Sequence, residues 1–219
     1  MKILTQALWF PNPDEALRGE HNGLLAVGGD LSVERLRLAY RSGIFPWTVD
    51  PITWWSPDPR AVFEWEKVKI CKSLDKLLKK QPFQFSRDKA FREVMLGCAE
   101  SRRGRETTWV VPEFLDAYCE LHAAGVAHSF ECWRDGVLVG GVYGVQIGGF
   151  FAGESMFHRE SNASKAALVE LLRHLERQGF ELFDTQVINP TTLQMGAIEI
   201  RRKDYLERLA KAIQKPCVF

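Results

Sequence analysis

HSFECWRDGVLVGGVYGVQIGGFFAGESMF, residues 128–157, is the stretch whose reading decides the fold. Asp135-Gly136 and Gly148-Gly149 divide it into three apolar runs, and both dipeptides favour the positive φ angles of tight hairpin turns. A three-stranded antiparallel meander is predicted. Toward the C-terminus, a 3.6-residue apolar period over 162–178 predicts a helix that Gly179 closes, and a strand follows over 181–187. Asn189 is placed to cap a further helical turn, and another helix is expected over 203–214. A meander followed by helix, strand and helix predicts a mixed α/β (α+β) sheet with flanking helices.

Reading back from the meander, amphipathic helices are expected over 88–100 and 112–124, and a short strand over 61–65. In the Lys-rich stretch 67–80, Ser73 is placed to open a helix whose Leu74, Leu77 and Leu78 share one side, with Lys72, Lys76, Lys79 and Lys80 roughly opposite. Residues 1–60 differ in being punctuated by Pro and Gly and rich in Trp. Here Ser32 caps a helix, SVERLRLAYRSG, in which Leu36, Ala39 and Tyr40 share a face and Gly43 is the stop; Pro57 and Pro59 end any strand after ITWW. The expected organisation is a small N-terminal domain over 1–60 and a larger domain over 61–219.

A chain of 219 residues, 46% hydrophobic, has enough apolar content for one full core and a small second one. Its 29 Lys and Arg nearly balance 28 Asp and Glu, so any hold on a polyanion must come from local patches. No eighteen apolar residues run together, and Pro11 and Pro13 interrupt the apolar start before a secretory core forms, so neither a membrane span nor export is expected. Five scattered cysteines suit a reducing cytoplasm rather than a disulfide framework. Without an HExxH pattern or a close cysteine pair, no metal is predicted.

Eight segments carry a resemblance across nearly the whole chain: NGLLAVGGDLS (22–32), SGIFPW (42–47), WWSPDPR (54–60), GGVYGV (140–145), GESMF (153–157), NASK (162–165), FDTQVIN (183–189) and MGAIEIRRKDYL (195–206). In that order they resemble the leucyl/phenylalanyl-tRNA-protein transferases. The resemblance implies transfer of Leu or Phe, with Met a further donor, from aminoacyl-tRNA to the N-terminal Arg or Lys of an acceptor protein, marking it for degradation in bacterial cytoplasm. A monomer without a cofactor is expected. The element order after residue 128 is also similar to that of the GCN5-related N-acetyltransferases, whose splayed fourth and fifth strands deliver an activated acyl group to an amine. That likeness is architectural and does not fix function. Acetyl-CoA enzymes wrap the pyrophosphate in a Gly-rich turn, whereas the corresponding MFHRESNASKAA (156–167) contains no glycine to let backbone amides approach so closely.

An aminoacyl ester is already activated, so no covalent nucleophile is needed; positioning, a partner for the amine proton and a dipole near the developing oxyanion suffice. Asp184 and Gln186 lie two apart in the predicted strand and are expected to project from one face, with Phe183, Thr185 and Val187 on the other. The resemblance assigns that pair to orienting and activating the amine; the alternative is a buried Asp that ties down a loop. Glu154, a second polar intrusion, would hold either the aminoacyl ammonium or the acceptor's cation, or else pair with an Arg for structure. By similarity, Ser155, Val142, Met156, Leu171 and Phe183 form an apolar pocket, although each taken alone reads as core. Relatives often carry Met where this chain has Val142, which implies a different Leu-to-Phe preference.

Trp47 and Trp109 by resemblance, and Tyr40 with them, are expected to stack on or border the terminal adenosine of the tRNA. Its phosphates would meet Lys72, Lys76, Lys79 and Lys80, joined by Arg102, Arg103 and Arg105, with a steep salt dependence; otherwise these form a solvated face. Two other readings are an acetyl-CoA-dependent N-acetyltransferase and a non-catalytic tRNA-binding module.

Overall fold

In a computed structural model that describes residues 1–100 and 110–219, the meander forms from β7 (Ala127–Arg134), β8 (Val137–Ile147) and β9 (Phe150–His158). Asp135 and Gly136 both take positive φ, 50° and 78°, as a primed hairpin turn requires. At Gly148, φ is 58° and an added Cβ would lie 2.6 Å from the Ile213 carbonyl oxygen, so this turn depends on glycine for its backbone and for the chain packed on it.

From β9 the chain passes through α5 (Ala163–Arg177) to β10 (Leu182–Gln186), which returns parallel to β9. Beside β10 lie β5 (Arg60–Phe63) and then β11 (Ile198–Ile200), both in antiparallel contacts, while β6 (Gln84–Arg87) extends the other edge from β7. Among the described residues this sheet has the order β11-β5-β10-β9-β8-β7-β6. A second sheet, β1-β2-β4-β3, is built from β1 (Lys2–Leu4), β2 (Leu24–Gly28), β3 (Phe45–Val49) and β4 (Ile52–Trp55). The remaining helices are α1 (Val33–Arg41), α2 (Lys72–Lys79), α3 (Phe91–Ala99), α4 (Pro112–Ala123), α6 (Pro190–Gln194) and α7 (Arg202–Ala212).

The local signals behave as chemistry dictates. Ser32 Oγ accepts from Arg35 N at the start of α1, Leu36, Ala39 and Tyr40 are buried, and Gly43 follows with φ 74°. Asn189 Oδ1 accepts from the amides of Thr191 and Thr192, capping α6. Helix α2 begins one residue before the expected Ser73, with Cys71 at its cap.

One apolar cluster lies between α5 and the larger sheet and contains Phe151, Leu168, Leu171 and Phe183. The other draws Leu25, Leu36 and Trp54 from the first 60 residues together with Phe91, Phe114, Tyr143 and Tyr205. Both sheets therefore bury their inner faces in shared core. Among the described residues no helix is long and apolar enough to cross a membrane.

Candidate active site

The site begins where β9 and β10 stop pairing. Their last register pair is Asp184 with Ala152; past it, β9 continues along β8, whereas β10 loses register against β5 and reaches Gln186 with φ 54°. Glu154 and Ser155 from one strand and Thr185 and Gln186 from the other occupy the resulting gap. Across it, Gln186 Nε2 donates to Glu154 Oε1 at 2.9 Å.

Asp184 is fully buried and does not open onto this gap. Arg60 donates Nε to Oδ1 at 2.9 Å and Nη2 to Oδ2 at 2.6 Å; Tyr205 adds its hydroxyl to Oδ2 at 2.9 Å. The fourth contact is the backbone amide of Gln186, which donates to Oδ1 at 2.8 Å. Simple alternation would put Asp184 and Gln186 on one face; the irregularity at Thr185 separates them, sending the carboxylate into the core and leaving the amide half-buried at the gap.

Glu154 is half-buried, and its Oε2 accepts from the Tyr118 hydroxyl at 3.4 Å. Tyr118 and Tyr40 bring their hydroxyl oxygens within 2.5 Å of each other. Burial pushes the Glu154 carboxyl up to about 8; the hydroxyl of Tyr40 pulls it back only in part, and the charge of Asp184 adds to the rise. Burial also keeps both tyrosines well above the usual phenol range, so they act as hydroxyl donors.

Two cavities meet at Glu154, Thr185 and Asn189. The larger, about 460 Å³, has an apolar wall of Phe63, Val142, Met156, Leu168 and Phe183, and its rim carries Ser155, Ser164 and Lys165. The smaller, about 180 Å³, runs along Phe45, Pro46, Trp47, Gln186 and Val187. Cys71 at the start of α2 is held below the usual thiol range by hydrogen bonds, chiefly from Ser73, with a contribution from the charge of Lys165. The lysine helix therefore starts beside the larger cavity's rim.

Of the residues expected from the sequence, Val142, Glu154, Ser155, Met156 and Phe183 line the larger cavity, and Gln186 and Trp47 the smaller. Leu171 does not line it: fully buried under α5, it is replaced at the wall by Leu168 one turn earlier. Tyr40 offers no stacking surface, because its ring is 1% exposed and its hydroxyl faces Tyr118. Lys72, Lys76, Lys79 and Lys80 are exposed, and Lys79 also pairs with Asp75 at 2.7 Å. Trp109, Arg102, Arg103 and Arg105 lie outside the described residues. Arg60, Tyr118 and Tyr205 were not expected at the site. Only Arg60 carried a signal, a cation opening an apolar run.

Among the described residues no three His, Cys, Asp or Glu side chains cluster as metal ligands. The family model for leucyl/phenylalanyl-tRNA protein transferase matches residues 62–210, and that for its N-terminal domain matches 29–58. The leucyl/phenylalanyl-tRNA–protein transferase of Shewanella pealeana is 55% identical over 203 residues, 92% of this chain and 86% of its own. The protein of the same name from Shewanella sp. strain W3-18-1 is 53% identical over 204 residues, again 92% of this chain and 86% of its own. Among solved structures, L-PGS from Bacillus licheniformis is 13% identical with a TM-score of 0.43, covering 76% of this chain and 54% of that one.

The mixed sheet with its divided cleft is thus that of an enzyme of the transferase class. More particularly, the chain belongs to the leucyl/phenylalanyl-tRNA protein transferase family.

Proposed function

We propose that the enzyme moves a leucyl or phenylalanyl group, and methionyl as well, from its tRNA to the α-amine of an acceptor protein beginning with Arg or Lys, marking that protein for degradation. It does so as a cytoplasmic monomer without a cofactor. The observation that carries this reading is the hydrogen-bonded Glu154–Gln186 pair at the junction of an apolar cavity and a second one that ends on an exposed indole.

The amine attacks the ester carbonyl carbon. A C–N bond forms, the C–O bond to the ribose breaks, and the proton lost by the amine passes to the departing ribose oxygen. Holding amine and ester together contributes on the order of 7 to 11 kcal/mol relative to the reaction between free molecules. With its Nε2 committed to Glu154, Gln186 has its oxygen to accept the amine N–H. Asp184 is a positioning residue: it holds the Gln186 amide and the turn that aims this side chain.

Glu154 faces the ammonium of the aminoacyl group. The cavity beside it takes an apolar side chain, and Met156 adapts to a branched or a flat one. Trp47 stacks on the terminal adenine with Trp109, while the α2 lysines, with Arg102 and Arg103, meet the phosphates. A GCN5-related arrangement of the catalytic half is supported by the parallel β9–β10 pair that opens around the reactive groups.

The test is to incubate the protein with labelled Leu-, Phe- or Val-tRNA and a peptide beginning with Arg. Label is expected in peptide from Leu and Phe, and roughly tenfold less from Val, whose missing methylene forfeits about 1 to 3 kcal/mol. Absence of peptide label from every donor defeats the reading.

A further inference from the structure

The cleft continues past Trp47. Trp47 and Val187 border the smaller cavity and also line a third one of about 440 Å³. The two side chains are 41% and 42% exposed, an uncovered apolar edge between compartments. The third cavity is assembled from distant parts of the chain: Glu20 in the 3₁₀ turn Gly19–His21, Asn22 after it, Trp55 at the end of β4, and Glu199 in the middle of β11. Trp47 and Trp55 pack edge to face within it, ring centroids 5.2 Å apart.

Neither Glu20 nor Glu199 pairs with a described cation, whereas Glu64, Glu160, Glu170 and Glu181 each do. Among the described residues no Lys or Arg lines this cavity. Two carboxylates beside two indoles suit a cation on an apolar stem: the stem lies along the rings, the head attracts the π faces, and the carboxylates accept its N–H groups. The same charges repel a phosphodiester, so the donor's RNA does not cross this mouth.

We propose that the third cavity holds the cationic side chain of the acceptor's first residue, with Glu20 and Glu199 as its counter-ions. The inference rests on the acceptor reading above and gives the demand for Arg or Lys its physical source. The acceptor's amine would meet Gln186 at the junction while its side chain reaches past Trp47, along the wall the two compartments share.

The experiment follows transfer of labelled Phe from its tRNA to peptides identical except for a first residue of Arg, Lys or citrulline, which keeps the shape of Arg without its charge. The wild type is expected to prefer Arg and Lys over citrulline. In the double variant Glu20→Gln, Glu199→Gln, the KM for the Arg and Lys peptides is expected to rise about tenfold, closing the gap to citrulline, as loss of charge-assisted bonds would do. The KM for Phe-tRNA should not move. Both positions are exposed, and an unchanged circular dichroism melt verifies the fold. Retained preference for Arg in the double variant overturns the inference, as does a rise confined to the tRNA KM, which would assign the compartment to RNA. A wild type that discriminates Arg from citrulline no better than the variant overturns it too. A wild type that labels no peptide removes the acceptor reading itself, an outcome distinct from the others because it appears before any substitution.

Discussion

Asp184 and Gln186 divide their work according to burial. The carboxylate is surrounded by donors and neutralises Arg60 inside the core; the amide stands at the cleft on a backbone that the carboxylate holds. Asp184→Ala should therefore cost about 3–5 kcal/mol in urea unfolding, because Arg60 is left buried without its counter-charge. Gln186→Ala forfeits one partly exposed hydrogen bond, about 0.5–1.5 kcal/mol, yet should lose most of its turnover. Equal stability losses in the two variants would refute this division. Glu154 provides a second test. Its carboxyl is raised from 4.5 to about 8, so between those values the folded state holds a proton that the unfolded state has released. The stabilisation from that proton is complete below pH 4.5 and lost as pH rises through 8. Urea midpoints measured from pH 5 to pH 8 should fall less steeply in Glu154→Gln than in the wild type. The polar character of these positions was legible because each interrupts an apolar strand. Their separation onto different sides was not, since the irregularity in β10 arises from its register with β5, over 120 positions away.

At the scale of elements, the meander and α5 were legible because their signals are local: hairpin dipeptides for one, a sustained apolar period for the other. Strands β1, β6 and β11 were not, being three or four residues long and lying at sheet edges, where alternation has too little length to register. The lysine side of α2 formed as read, with Leu74 buried and the four lysines exposed. If that side meets RNA, replacing Lys72, Lys76, Lys79 and Lys80 by Gln should weaken tRNA binding and flatten the plot of log affinity against log salt, by up to about 0.7–0.9 per lysine lost. A slope that stays unchanged in filter binding would leave α2 a solvated face.

Across the whole molecule, buried arginines bind the two sheets to each other. Arg60 donates to the Gly43 carbonyl at 3.0 Å as well as to Asp184, and its guanidinium lies 4.8 Å from the Phe45 ring and 4.5 Å from that of Tyr205. Arg202 donates to the Ser56 carbonyl at 2.7 Å, and its own amide donates to Asp58. Because residues on both sides of position 60 share one apolar cluster, thermal unfolding should be a single transition, with calorimetric and van't Hoff enthalpies in agreement. Two resolved peaks by scanning calorimetry would count against a common core. The same joining positions the site, since Trp47 comes from one sheet and Glu154 and Gln186 from the other.

By itself the sequence determined the meander, the helix after it, the family, and the residue types that face the reaction. Turn chemistry, apolar period and an isolated polar residue in a strand act over a few positions and are written in order along the chain. Only the tertiary structure decided that Asp184 supports rather than faces the cleft, that Leu168 and not Leu171 lines the cavity, and that Glu20 and Glu199 share a compartment. Those outcomes depend on which strands become neighbours and where their pairing stops, and contacts between such distant segments leave no local mark.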